Sequence, residues 1–93
     1  MYAGFAVSDI TPELGIYLTG YGQPERLASS VHLPLNATAM VLKDGDTITA
    51  ILGLDWCFVD WTLTQAIRKG IFESTGIPEC NILLCCSHTH SAP

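Results

Sequence analysis

The stretch TITAILGL, residues 47–54, decides the fold, because nearly every side chain in its second half is apolar. Such a run is typical of a strand that is covered on both faces. Residues 60–75 follow with apolar side chains at helical spacing, and residues 81–86 form a second short apolar run. Strand, helix and strand in this order predict a βαβ unit, whose crossover makes the two strands parallel.

The predicted helix carries start and stop signals at both ends. Asp60 can accept hydrogen bonds as the N-cap, and Thr62 with Gln65 offers a capping box as the alternative. Gly76, followed by Pro78, ends the helix. The face expected to meet the sheet consists of Leu63, Ala66, Ile67, Gly70 and Ile71.

The residues before this unit predict two further strands and a loop. Residues 38–42 are β-rich, and Asp44-Gly45 separates them from the 47–54 strand with a hairpin turn signal. Residues 2–7 are expected to form another strand, and the glycine- and proline-containing segment 13–36 a long irregular loop, a kind that tends to be functional. The predicted fold class is α/β, a mixed sheet with a β-hairpin leading into a βαβ unit, as part of a larger domain.

The composition argues against several functions. The net charge is −5 with only four basic residues among 93, so no basic surface is available to neutralise the phosphates of a nucleic acid. No apolar run approaches the roughly 18 residues that span a bilayer, so no transmembrane segment is expected. The first residues lack the features of a signal peptide, which predicts a cytoplasmic protein, or a secreted one if a leader was removed.

Charged residues make up only 14% of the chain, against a usual share of about 25%. Too few charges remain to cover a small globule, so some apolar surface is expected to be buried against further chain or a partner. Four cysteines are present, and without a secretory signal we expect reduced thiols rather than disulfides. The chain has no C-x-x-C spacing of the kind that cysteine zinc sites use.

The segment SHTHSAP, residues 87–93, follows the last predicted strand and carries the chemistry. Ligands of open α/β sheets bind beyond the carboxyl ends of the strands. In extended chain His88 and His90 point to the same side, so they can serve as two metal ligands or as one ligand and one substrate contact. Asp55 ends the neighbouring parallel strand and is a candidate to orient a ligand histidine, or else simply a turn cap. His32 lies in the long loop and reads as a surface residue.

These motifs, taken in order, resemble the N-terminal domain of the neutral/alkaline, non-lysosomal ceramidases. The segment at 87–93 is the specific one, since the family typically has T-H-T-H-S-G-P there. The other matching segments are weak singly but agree in order: D-I-T-P at 9–12, G-Y-G at 20–22, V-H-L-P-L at 31–35 and L-D at 54–55.

The resemblance implies a zinc enzyme that hydrolyses the linear amide of a lipid substrate, ceramide, to sphingosine and a fatty acid. It implies that His88 is a zinc ligand and that His90 faces the substrate and the developing oxyanion. The remaining family ligands, a histidine, a glutamate and a tyrosine, would lie beyond these residues, so residues 1–93 are expected to be the N-terminal part of a truncated catalytic domain that is inactive alone. Ala92, Asn36 and Thr38 depart from the family pattern and bear on substrate choice.

Two other functions remain open from the residues alone. One is a metal hydrolase of another family, although the H-x-H-x-D-H pattern of metallo-β-lactamase-like enzymes is broken here by Ala92-Pro93. The other is a non-enzymatic α/β interaction module in which the histidines belong to an ordinary strand-end loop. Metal content separates the two classes, because an interaction module has no need of zinc.

Overall fold

A computed structural model describes residues 1–23 and 25–93. Its elements are β1 (Tyr2–Asp9), β2 (Asn36–Asp44), β3 (Thr47–Leu54), α1 (Trp61–Thr75), a 3-10 turn (Glu79–Asn81) and β4 (Ile82–Cys86). The four strands form one sheet in the order β1-β2-β3-β4. The first two pairs are antiparallel and β3 pairs with β4 in parallel, so the predicted mixed α/β fold is confirmed.

The signals at the hairpin turn and at both ends of α1 act as predicted, whereas β1 runs two residues further than expected and β2 two residues further at each end. In the hairpin, Asp44 pairs with Thr47 across a turn in which Gly45 has a φ of 59°. The N-cap of α1 is Asp60, whose Oδ1 accepts a hydrogen bond from Leu63 N at 2.7 Å, rather than the Thr62 alternative. Gly76 ends the helix in the left-handed conformation, with a φ of 77°.

The core lies between α1 and one face of the sheet. Ala50, Ile77 and Ile82 are buried there, and Val41, Ile48, Leu52 and Ile71 pack against them. Ile67 and Ile71 face the sheet as expected. The other three residues of the predicted face, Leu63, Ala66 and Gly70, are exposed, and Thr64 and Arg68 are half-buried instead. The predicted face was therefore partly wrong. In the observed orientation of the helix about its axis, Arg68 Nε donates a hydrogen bond to the carbonyl of Ile82 at 3.0 Å.

The opposite face of the sheet carries an apolar row that crosses all four strands. The register places Phe5 beside Met40, Met40 beside Ile51, and Ile51 beside Leu83. Phe5 is 74% exposed and Leu83 is 51% exposed, so the row is largely uncovered at both edges of the sheet. The low charge of the sequence is thus matched by an exposed apolar surface.

Residues 15–28 are more regular than the irregular loop that was expected. Tyr17 and Leu27 form an antiparallel bridge. Backbone hydrogen bonds close the loop on both sides of it, from Gly15 N to Ala28 O at 2.9 Å and from Leu18 N to Arg26 O at 2.8 Å. We call residues 18–23 the glycine-tyrosine loop. Within the described residues, α1 is the longest helix and is neither long nor apolar enough to cross a membrane.

Candidate metal centre

The parallel strands β3 and β4 bring their carboxyl ends together at one edge of the sheet. Leu54 pairs with Cys86, and the pairing continues past both strand ends. Ser87 N donates to Leu54 O at 2.9 Å, and His88 N donates to Trp56 O at 3.1 Å. The predicted position of His88 at the carboxyl edge of the sheet, on a strand parallel to β3, is confirmed.

The two histidine rings lie close together, but not because the chain is extended through residues 88–90, as was expected. His88 has a φ of 62°, a left-handed conformation that few residues other than glycine adopt. After this turn the ring of His90 lies with its centroid 4.9 Å from that of His88, at an interplanar angle of 78°. The two Nε2 atoms are 3.4 Å apart.

One nitrogen of His88 is held by the backbone. His88 Nδ1 lies 2.8 Å from the carbonyl oxygen of Cys57. Because a carbonyl can only accept, Nδ1 carries the proton and donates it, and Nε2 is left with a free lone pair. A backbone carbonyl on the second nitrogen is the usual arrangement around histidines that bind metals.

Cys57 is the third member of the cluster, and nothing in its sequence spacing indicated this. Its side chain is 5% exposed, and its Sγ lies 3.5 Å from His88 Nδ1. The ligand atoms of Cys57, His88 and His90 all lie within 4.8 Å of one another, so the three form a group that can hold a metal ion. The signal that could have found Cys57 was its place three residues after β3 ends, at the same sheet edge as the histidines.

The donor set fits zinc. Zinc binds imidazole nitrogen at about 2.0–2.1 Å in tetrahedral geometry, which separates two such nitrogens by about 3.4 Å. The Nε2 atoms of His88 and His90 are 3.4 Å apart. Imidazole nitrogen and thiolate sulfur are ligands that suit zinc, whereas hard cations such as Mg²⁺ and Ca²⁺ are bound by oxygen.

Asp55 lies at the same edge, and its carboxylate contacts the backbone at the start of β2. Its Oδ2 accepts a hydrogen bond from Asn36 N at 3.0 Å, and its own N–H donates to Asn36 O at 3.0 Å. Asp55 therefore joins the start of β2 to the end of β3. Of the two roles left open for Asp55, orienting a ligand histidine and capping a turn, the first is filled by the carbonyl of Cys57.

His32 lies outside the group formed by Cys57, His88 and His90. His32 lines a cavity of about 520 Å³ whose walls also include Thr89 and Ser91, the residues that alternate with the two histidines. His88 and His90 do not line that cavity, and His32 does not belong to the metal-binding group. The cavity is thus a neighbour of the candidate centre rather than the centre itself.

The turn after β1, which begins at Asp9, has a structural role. Asp9 Oδ1 accepts from Thr11 N at 2.8 Å, and the hydroxyl of Thr11 accepts from Leu35 N at 2.8 Å. The hydrogen bonds from the side chain and backbone of Thr11 lower the pKa of the Asp9 carboxyl. The D-I-T-P motif therefore ties the end of β1 to the approach of β2.

The glycine-tyrosine loop packs against His90. A Cβ at Gly20 would lie 2.5 Å from Cγ of His90, so only glycine fits there. The ring of Tyr21 stands edge-on to the imidazole, with centroids 5.1 Å apart. Arg26 donates to the carbonyl of His90. Of these residues, Gly20 and Tyr21 belong to the G-Y-G segment noted in the sequence, whereas nothing in the sequence singled out Arg26.

Compared by sequence, the chain matches no family model and no curated protein. Compared by structure, it is similar to the crystal structure of neutral ceramidase from Pseudomonas aeruginosa, with a TM-score of 0.87 and 22% identity. It is equally similar to a structure of ceramidase complexed with C2, again with a TM-score of 0.87 and 22% identity. Each match covers 98% of this chain and 15% of the solved one.

The chain therefore has the fold of a part of the neutral ceramidases, as the resemblance of its motifs implied. It spans about 15% of the length of the solved ceramidases that it matches. At this identity the likeness establishes the fold, while activity has to be argued from the site.

Proposed function

We propose that residues 1–93 form the N-terminal part of the catalytic domain of a zinc-dependent hydrolase related to the neutral ceramidases. Its reaction is the hydrolysis of a linear amide, with a lipid of the ceramide type as substrate. The observation that carries the proposal is the pair His88 and His90, with Nε2 atoms 3.4 Å apart at the carboxyl edge of the sheet. That this pair follows β4 in a ceramidase-like fold makes a chance strand-end loop a poorer explanation.

His88 is the proposed zinc ligand. Its Nδ1–H is fixed by the Cys57 carbonyl, which leaves Nε2 as the ligand atom and holds the ring in one orientation. When bound, zinc supplies a nucleophilic water near neutral pH and polarises the scissile carbonyl, so no nucleophilic side chain is required.

The 3.4 Å spacing also fits His90 as a second zinc ligand, but we propose His90 instead as the donor to the oxyanion that develops on the substrate. Its surroundings differ from those of His88, since the hydrogen-bond partner of its ring within the described residues is Nε2 of His88 and no carbonyl holds its other nitrogen. A histidine without such a carbonyl is free to present an N–H to the substrate. A donor of this kind, aimed at developing negative charge, is a large contributor to amide hydrolysis.

The rest of the centre is proposed to come from further chain. A catalytic zinc usually has three protein ligands and a water, and the resemblance implies a further histidine, a glutamate and a tyrosine. The uncovered apolar row from Phe5 to Leu83 accords with a domain that continues beyond these residues. We therefore expect the 93-residue chain alone to bind zinc weakly and to lack amidase activity.

The test uses the intact protein, its metal content and its hydrolysis of an N-acylsphingosine. Wild-type protein should hold stoichiometric zinc and release fatty acid, and His88→Ala should lose both together because the substitution removes a ligand. His32→Ala is the control for metal content, since His32 lies outside the Cys57–His88–His90 group. Wild-type protein without bound metal and without hydrolysis would favour the interaction module instead.

A further inference from the structure

His90 is held by residues that lie far before it in the sequence. Gly20, Tyr21 and Arg26 all contact it, and Arg26 is separated from it by 64 residues. His88, in contrast, is held by the turn after β3. The two histidines of one short motif thus have independent supports.

Tyr21 is placed for its contact with His90 rather than for burial. Its side chain is 70% exposed, so little of its apolar surface leaves water. Its φ is 58°, a left-handed conformation that costs free energy for a residue with a Cβ. Conformations of this kind persist where the surroundings impose them, and they cluster at functional sites. The contact that accompanies the strain is the edge-on approach to the His90 imidazole, at 83° between planes.

Arg26 joins this ring to the backbone of the motif. Its guanidinium carbon lies 4.7 Å from the centroid of the Tyr21 ring, a cation–π arrangement. Its Nη2 donates to the carbonyl of Thr19 at 3.4 Å and also to the carbonyl of His90. Arg26 therefore connects the glycine-tyrosine loop, the Tyr21 ring and the backbone of His90 in one network.

The loop is also joined to the motif by its backbone. Thr19 N donates to Ala92 O at 2.8 Å, and Ala92 is fully buried. Gly20 then passes so close to the side chain of His90 that a Cβ would lie within 2.7 Å of three of its atoms, two of them in the ring. The ring is consequently confined by Gly20 and Tyr21 and faces His88.

We propose that Tyr21 and Arg26 are positioning residues that hold the imidazole of His90 for catalysis. The proposal rests on the proposed function, because it assigns the loop to the same hydrolytic site. The two side chains act through His90, so their loss should lower kcat by letting the ring move, while KM changes little. Misplacement of a catalytic group by about 1 Å can cost about 100-fold in rate.

The experiment compares four variants of the intact protein: Tyr21→Ala, Tyr21→Phe, Arg26→Gln and Tyr17→Ala. Tyr21→Ala and Arg26→Gln should each lower kcat by roughly 10- to 100-fold, with KM within about twofold and zinc content unchanged. Tyr21→Phe keeps the ring and should restore kcat to within about twofold of wild type. Tyr17→Ala is the matched control, since Tyr17 lies in the same loop region, is 65% exposed and has no contact with His90 in the part of the chain that the structure describes.

The NMR chemical shifts of the His90 ring protons distinguish a local change at the ring from a general loss of stability. These shifts should change in Tyr21→Ala, because the ring current of Tyr21 is removed, and should stay in place in Tyr17→Ala. If Tyr21→Ala does not fold, Tyr21→Leu replaces it, since leucine fills similar volume without a ring.

The outcomes separate the two proposals. If His90→Ala lowers kcat but Tyr21→Ala and Arg26→Gln do not, the positioning role is overturned and the proposed function stands. If neither His88→Ala nor His90→Ala affects hydrolysis, the proposed function fails. In that case the NMR measurement still tests the positioning role. Unchanged chemical shifts of the His90 ring protons in Tyr21→Ala would show that Tyr21 does not contact the ring.

Discussion

The Nε2 atoms of His88 and His90 lie 3.4 Å apart, yet the two rings are supported from different parts of the chain. His88 donates from Nδ1 to the carbonyl of Cys57, whereas the ring of His90 is confined by Gly20 and Tyr21. This asymmetry indicates different roles for two histidines that are separated by a single residue, Thr89, in the sequence. It also makes the roles separable by mutation.

Replacing each histidine with alanine should affect metal and rate differently in the intact protein. His88→Ala should remove zinc and essentially all hydrolysis, because a ligand is lost. His90→Ala should keep most of the zinc and lower kcat by about 10²–10³, the usual cost of losing one oxyanion donor. Elemental analysis beside steady-state kinetics measures both effects. Loss of metal from His90→Ala as complete as that from His88→Ala would make His90 a second ligand.

Removing the thiol of Cys57 should leave the metal in place. Cys57 Sγ belongs to the group whose donor atoms lie within 4.8 Å of one another. It lies 3.5 Å from His88 Nδ1, however, which is the nitrogen that the Cys57 carbonyl holds and not the proposed ligand atom Nε2. Cys57→Ala keeps that carbonyl, so zinc should be retained at a cost of about 1 kcal/mol in stability. Cys80→Ala, an exposed position, is the control. A thiolate-to-metal charge-transfer band in the cobalt-substituted wild type, absent from Cys57→Ala, would instead identify the thiol as a ligand.

Two glycines of one loop provide a matched pair. Gly20 and Gly22 both have left-handed φ values, of 103° and 62°, so an alanine at either is expected to cost about 1–2 kcal/mol. Only at Gly20 does the added methyl meet the ring of His90, at 2.5 Å, while nothing lies within 4 Å at Gly22. Gly20→Ala should therefore lower kcat nearly as far as His90→Ala, by about 10²-fold, with zinc retained. Equal kcat values for the two glycine variants would show that the contact with His90 is not needed for turnover.

The cap of α1 should matter more for stability than the ion pair on its surface. Asp60→Ala removes the oxygen that accepts from Leu63 N at 2.7 Å and should lower the free energy of unfolding by about 0.5–2 kcal/mol. Glu73→Ala breaks only an exposed i,i+4 pair with Lys69 at 4.0 Å and should cost less than about 0.5 kcal/mol. Urea denaturation of both variants measures the difference. A larger loss for Glu73→Ala would contradict the assignment of the helix start.

The thiols should react with iodoacetamide at different rates. Burial raises the pKa of the Cys86 thiol, so at a pH near 8 a smaller fraction is thiolate, the reactive form, than for an ordinary cysteine. Cys86 should therefore be alkylated more slowly than the exposed Cys80, and the gap should narrow as the pH rises through the pKa of Cys86. Mass spectrometry of timed digests of the 93-residue chain measures both rates. Faster labelling of Cys86 than of Cys80 at pH 8 would contradict the effect of its partial burial on the pKa of the thiol.

The arrangement of β2, β3 and β4 and the place of the histidines were predictable because they depend on local signals. The apolar run at 47–54, the Asp-Gly turn and the helical spacing after Asp60 each act over a few residues. Once a strand, a helix and a strand follow one another, the right-handed crossover makes the strands parallel and carries His88 to the edge where Leu54 ends. The orientation of α1 about its own axis was less predictable. Arg68 is half-buried because it donates a hydrogen bond to Ile82 of β4, which lies 14 residues away in the sequence.

The contacts that hold the two histidine rings join residues that are far apart in the sequence. Cys57 meets His88 across 31 residues and Arg26 meets His90 across 64, and no periodicity or spacing in the sequence links such positions. The left-handed backbone at Tyr21 and His88 is likewise imposed by surrounding contacts, since neither residue type favours it as glycine does. Local propensity and hydrophobic period thus account for the sheet and for the edge that bears the histidines. Which group holds each ring was decided only in the tertiary structure, because those contacts exist only after distant loops pack against the strand ends.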